Sequence, residues 1–200
     1  VMNIGNEKKK LSQSDLIDQL NDKNVLDDIE VSHLSLSDEV NFSGKTLKNI
    51  SFEKSILNKI NFYNATLENC SFVASTIKGC SFKKAKISHC NFDEAYLTYI
   101  NNKETSFQEA TISNSRFRSY DTKYKFTFLE NVNFKYSMIN NCTFEDSKFY
   151  LCDFYRAHFN EINVFIGSSF RLCSFNHTLF SDFSISKANL EDNLKKDKKN

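Results

Sequence analysis

The sequence predicts a solenoid, a fold made by stacking one short repeat, and three observations predict it. A large apolar residue returns at every fifth position from Phe42: Leu47, Phe52, Leu57, Phe62, Leu67, Phe72, Ile77, Phe82, Ile87, Phe92 and Leu97 follow without a break. An α-helix repeats every 3.6 residues and a strand every two, so neither generates this spacing. From Phe62 onward a smaller residue stands two places before each centre: Ile60, Ala65, Cys70, Ser75, Cys80, Ala85, Cys90 and Ala95. Finally, 20 Phe, 4 Gly and no Pro among 200 residues suit packed repeats. That composition excludes collagen-like and Pro/Gly-rich disordered chains and disfavours a hairpin-rich antiparallel sandwich. Self-similarity at a fixed short period is the signature of stacked repeat architectures.

The unit is a decapeptide, C-x-F-x-x-A-x-L-x-x, made of two unequal quintets. Phe tends to follow Cys, Ile or Val, whereas Leu or Ile tends to follow Ala, Ser or Thr. This pattern resembles the pentapeptide-repeat family, whose quintets read roughly A-(D/N)-L-x-x with Leu or Phe at the centre. The resemblance implies an all-β fold, a right-handed quadrilateral parallel β-helix with one quintet per side and four quintets per coil. The central residue and the small one before it then point inward. A large and a small inward residue per side fill a narrow square core, which agrees with that implication.

Residues 1–39 read as an N-terminal tail and cap. Ser12 or Ser14 caps a short helix carrying Leu16, Ile17 and Leu20 on one side. Val25, Leu26, Ile29, Val31, Leu34 and Leu36 then lead into the coils, and the segment is acidic, with nine carboxylates against four lysines. A solenoid end needs such a cover because it exposes core and unpaired backbone. Residues 40–192 form the β-helix. Asn102 replaces the expected centre and the alternation resumes at Phe107, Ile112 and Phe117, which places an excursion near 98–104. The next centre is Leu129, so a second excursion lies near 118–126. Spacing then runs Phe134, Ile139, Phe144, Phe149, Phe154, Phe159, and one extra residue near Asn163 shifts it to Phe165, Phe170, Phe175, Phe180, Ile185 and Leu190. These centres make about seven coils, or about 34 Å of rod at about 4.8 Å per coil. Residues 193–200 are a polar, Lys-rich tail.

Candidate chemistry is sparse. All six cysteines, Cys70, Cys80, Cys90, Cys142, Cys152 and Cys173, occupy the inward place two before a Phe centre. One rule, that Cys is a small apolar filler, explains all of them beside Phe62, Phe72, Phe82, Phe92, Phe144, Phe154 and Phe175. No C-x-x-C pair suggests a metal site, and free inward thiols suit a reducing compartment. Cys70 with Cys90, and Cys152 with Cys173, are expected to stack in adjacent coils. His89, His158 and His177 fall outward on different turns, with no H-x-x-x-H pair. No Gly-rich phosphate loop, nucleophile elbow or zinc helix is present. The expectation is no enzyme, no catalytic or metal residue and no cofactor. No apolar run approaches the roughly 18 residues of a membrane span, and residues 1–10 lack the apolar core of a cleavable signal peptide. The expected location is the cytoplasm, or export as an effector without such a peptide.

The outward residues carry more. Counting the side of Phe42 as the first, the fourth side displays Ile56, Tyr96, Tyr99, Phe128, Tyr150, Leu151 and Leu172, and the first adds Tyr63, Tyr136, Tyr155 and Arg156. Exposed Tyr and Arg among apolar neighbours compose protein-binding patches, although sheets also use Tyr for cross-strand stacking alone. The predicted partner surface comprises Tyr63, Tyr96, Tyr99, Tyr136, Tyr150, Tyr155 and Arg156 with the loop residues Tyr124 and Phe126. The function expected is a non-enzymatic protein–protein interaction module. The family resemblance adds that it could form part of a bacterial effector, such as the region preceding the catalytic part of a HECT-like ubiquitin ligase. The alternative is a DNA-mimicking topoisomerase- or gyrase-protecting protein of the quinolone-resistance type. Against it, residues 40–190 hold 18 basic and 13 acidic residues, whereas mimicry of DNA needs a strongly negative surface. Direct nucleic-acid binding has only that modest excess in its favour. A further acidic cluster, Glu53, Asp93, Glu94, Glu145 and Asp146, reads as a solvated third face.

Overall fold

The computed structural model describes residues 7–119, 127–160, 163–180 and 189–191, the last three by backbone alone. They build a four-sided stack of parallel coils. The second and fourth sides are parallel sheets of eight strands each. The first and third are columns of single parallel bridges, such as Asn41 to Asn61 to Ser81 to Ser106 and Ser51 to Ser71 to Asn91 to Arg116.

Each sheet is one layer taller than seven coils. The added layer comes from Val25–Asp27 and Ser35–Leu36, which pair in register with Thr46–Lys48 and Ile56–Asn58. Leu26, Val31 and Leu36 are its buried inward residues. They keep the five-residue spacing, but the residues two places before them are Asn24, Ile29 and Leu34, so the small-residue signal fails there. The first layer is thus built from residues that the sequence assigns to the cap.

Helix α1, Gln13–Asp22, covers that layer with Leu16 and Leu20. Ser12 is its cap: the hydroxyl accepts from the Asp15 N–H at 3.1 Å while the Asp15 carboxylate accepts from the Ser12 N–H. Lys45, where a small residue is expected, donates its ammonium to the Leu20 and Lys23 carbonyls at 2.8 and 2.9 Å. A cation on the last carbonyls of a helix satisfies orphan acceptors and the dipole together. That contact fastens the cap to the first full coil.

Phenylalanine forms the core as two columns of parallel rings. On the first side, Phe62 stacks on Phe82 at 4.5 Å and Phe82 on Phe107 at 4.7 Å. On the third side, Phe72, Phe92 and Phe117 follow at 4.7 and 4.6 Å. Across the core the columns meet edge to face, as Phe72 and Phe82 do at 6.0 Å and 77°, the geometry that the ring quadrupole favours. Phe62, Phe72, Phe82, Phe92, Phe144 and Phe154 are buried, while Phe175, in the last layer of its column described, is half-buried. Buried hydroxyls in the small inward positions are satisfied locally: Ser55 donates to the Val31 carbonyl and Ser137 to that of Phe134, both at 2.7 Å.

The corners explain the remaining composition. Most Phe quintets of the first and third sides close with a β-turn, as where the Ala65 N–H donates to the Phe62 carbonyl at 3.0 Å. The residue two after most centres takes φ near +55°; Asn fills it at Asn49, Asn64, Asn69, Asn114, Asn131 and Asn141, and polar residues such as Lys54, Lys59, Lys84, His89 and Glu94 fill it elsewhere, Asn being the type best suited there after Gly. Leu151 and Leu172 hold the same conformation, at φ +55° and +54°, at a cost of about 1–2 kcal/mol each.

The excursion near 98–104 is a tight hairpin. Ile100 and Lys103 exchange backbone hydrogen bonds at 3.0 and 2.9 Å, around Asn101 and Asn102 at φ +50° and +60°. Positive φ at both central residues is the type I′ requirement. The hairpin folds back over Gly79, where an added Cβ would meet Ile100 Cγ2 at 2.8 Å and the Lys103 carbonyl at 3.0 Å. Most of the second excursion, residues 120–126, lies outside the described residues.

Candidate interaction surface

The six cysteines are all buried. Burial pushes the Cys80 and Cys142 thiols up to about 12, because an apolar core cannot solvate a thiolate. In the stacked pairs burial likewise pushes Cys90 and Cys152 well up. The hydrogen bond each makes to its neighbour draws Cys70 and Cys173 the other way. Among the described residues no group of three or more His, Cys, Asp or Glu side chains is placed to hold a metal ion. No helix there is long and apolar enough to cross a membrane.

The third face is not a simple solvated surface. Asp93 is fully buried, ion-paired to Arg116 at 3.0 Å and Arg118 at 3.6 Å. It also accepts from the Arg118 N–H at 2.9 Å. A buried carboxylate needs such partners, and the coil supplies them one layer on, where Arg116 bridges Asn91.

The aromatic residues separate into distinct groups. Tyr96 is half-buried, stacks on Phe128 at 5.5 Å and donates its hydroxyl to Glu130 at 2.7 Å. Burial, then that bond, raises its pKa. Its contacts are those of a cross-strand sheet pair. Tyr150, also on the fourth side, lies beside Arg171 at 5.9 Å. Tyr99 is exposed at the base of the hairpin. Tyr63 shares a row with Tyr155, but Lys83, Gln108 and Lys135 occupy the layers between them, so about 19 Å separates the two. Tyr124 and Phe126 lie outside the described residues.

Tyr136, Tyr155 and Arg156 do come together, at the corner between the first and second sides. Tyr155 packs edge to face against Tyr136 at 5.7 Å and against His177 at 5.6 Å. The Arg156 guanidinium lies 5.4 Å from the Tyr155 ring, within cation–π range. The adjoining sheet adds Met138 and Leu179, exposed by 43% and 58%, in one row with His158. The sequence reading missed Met138 and Leu179. Their signal was available: they hold the place before the centre on the second side, where earlier layers carry Thr46, Thr66, Lys86 and Thr111.

The family profile of pentapeptide repeats matches residues 47–83 with eight copies. The fold is similar to a pentapeptide repeat protein from the Arabidopsis thaliana thylakoid lumen, at 25% identity and a TM-score of 0.40 over 57% of this chain and 67% of that one. It is similar to HetL of the cyanobacterium Nostoc sp. strain PCC 7120, a pentapeptide repeat protein involved in heterocyst differentiation regulation, at 12% identity and a TM-score of 0.34 over 89% and 96%. It is similar also to QnrB1, a plasmid-mediated fluoroquinolone resistance protein, at 13% identity and a TM-score of 0.41 over 94% and 89%. No curated protein matches the sequence. In quintet register, four-sided parallel stack and inward Phe columns the chain is similar to pentapeptide repeat proteins, and residues 47–83 carry that family's repeat.

Proposed function

We propose that the chain is a non-enzymatic protein-interaction module whose principal contact surface is the corner formed by Tyr136, Tyr155, Arg156 and His177 with Met138 and Leu179. The observation that carries this reading is the exposure of Met138 and Leu179 beside interlocked aromatic rings. Rings already packed against each other lose little side-chain freedom on binding and present large amphipathic anchors, the residue types that dominate interface energetics. Tyr96 is removed from the anchor set, because Phe128 and Glu130 already satisfy it.

The test is affinity capture from lysates with wild type and a Tyr136→Asn, Tyr155→Ser variant. Asn suits the φ of +58° at residue 136, so the melting transition should hold while the captured partners disappear. Identical partner lists would sink the proposal. The finer reading, a domain of a bacterial effector such as a HECT-like ubiquitin ligase, expects those partners from host rather than bacterial lysate. Topoisomerase protection expects gyrase instead, and the basic excess of residues 40–190 disfavours it.

A further inference from the structure

Leu151 and Leu172 occupy a backbone conformation that favours asparagine or glycine. Neither is buried, and 43% of Leu151 is exposed. Among the described residues no other large aliphatic side chain has positive φ. The two lie in successive layers of the corner between the fourth and first sides, where the Leu151 N–H donates to the Arg171 carbonyl at 3.1 Å. The layer before them uses Asn131 at the same place. Strained apolar side chains left open to solvent, fully or in part, and not needed by the fold point to a use outside the fold.

The surroundings show what would cover them. A groove runs from Tyr99, at the hairpin base, past Leu151 and Leu172, and Glu104, Glu130 and Asp153 line it. Each carboxylate is held in place: Glu104 accepts from Asn133 Nδ2 at 2.7 Å, Glu130 from the Tyr96 hydroxyl at 2.7 Å and Asp153 from the Tyr155 N–H at 2.9 Å. Lys135, the basic residue of the lining, pairs with Asp153 at 3.4 Å, which leaves the groove net negative. We propose that this groove docks a partner segment in which apolar side chains alternate with lysine or arginine. The apolar groups cover Tyr99, Leu151 and Leu172, and the cations meet the fixed carboxylates. The proposal rests on the interaction-module reading but uses a different corner.

The probe is a fluorescein-labelled peptide of alternating lysine and leucine, titrated against the full chain by fluorescence anisotropy. Glu/Leu and Lys/Ser peptides of equal length serve as controls. A Leu151→Asn, Leu172→Asn variant should melt no lower than wild type, since Asn accepts the corner conformation, yet bind the Lys/Leu peptide about ten-fold more weakly. Glu104→Gln with Glu130→Gln should weaken binding several-fold at low salt and less at high salt. Unchanged affinity in the leucine variant, or equal binding of the Glu/Leu or Lys/Ser peptide, overturns the proposal. So does a wild-type dimer that the leucine variant turns into monomer without any peptide having bound. The Tyr136→Asn, Tyr155→Ser protein keeps this groove intact, so peptide binding by that protein separates failure here from failure of the lysate capture.

Discussion

A thiol stacked among phenylalanine rings keeps its proton well past the pH at which an exposed one loses it. Cys80 ordinarily titrates near 9.0, and burial moves it to about 12. Above pH 9 the unfolded chain therefore releases a proton that the folded chain retains. Stability is whole below that pH and falls through the window up to about 12, by about 1.4 kcal/mol per pH unit for each such thiol. Urea midpoints of wild type and a Cys80→Ala, Cys142→Ala variant, compared at about pH 8 and about pH 10.5, should show a steeper decline in the wild type. Equal declines would mean that neither thiol is sealed. The inward place of these residues was legible from spacing alone. The role of Tyr96 was not, because Glu130 reaches it only after the second excursion closes, and single-chain spacing says nothing about which outward rings meet.

The hairpin at residues 98–104 shows what an insertion costs this architecture. Its length was legible from the missing centre at Asn102, but its direction was not, since that depends on Gly79 in the preceding layer. Gly79 is fixed by two demands at once, φ of +60° and the approach of Ile100 and Lys103. Gly79→Ala meets neither demand and is expected to destabilise by about 1–3 kcal/mol. Gly44 has φ of +69° but nothing within 4 Å of a Cβ, so Gly44→Ala should cost less. Thermal melts of the two variants decide the matter: equal losses would show that the hairpin does not rest on Gly79. Helix α1 was likewise foreseen in outline, and only the structure distinguishes Ser12 from Ser14 as its cap and gives Lys45 its task.

At the scale of the molecule each layer touches chiefly the layers beside it, so stability is close to a sum over neighbours. The two ends are unequal among the described residues. Leu16 and Leu20 of α1 lie over the first layer, whereas Leu179 and Phe180 near the other end are exposed by 58% and 43%. Hydrogen exchange should be slowest at the amides of Phe82, Phe92 and Phe107, slow at Leu47, and fastest at Leu179. Equal protection of Leu47 and Leu179 would contradict that gradient. The layer count was underestimated from sequence because the first layer lacks the repeat's small-residue signature, carrying Asn24, Ile29 and Leu34 two places before its inward residues.

The Phe column is indifferent to how much chain lies between its rings. Phe62 to Phe82 is a plain coil and Phe82 to Phe107 includes the hairpin, yet the ring separations are 4.5 and 4.7 Å. Phe107 to Phe134 spans the second excursion and closes at 5.2 Å. Each side of the coil thus states its own phase, and an added segment at a corner leaves every later side as it was. Evolution and protein engineering can therefore treat the corners as sockets, into which loops of unrelated sequence are written one at a time without rewriting the core.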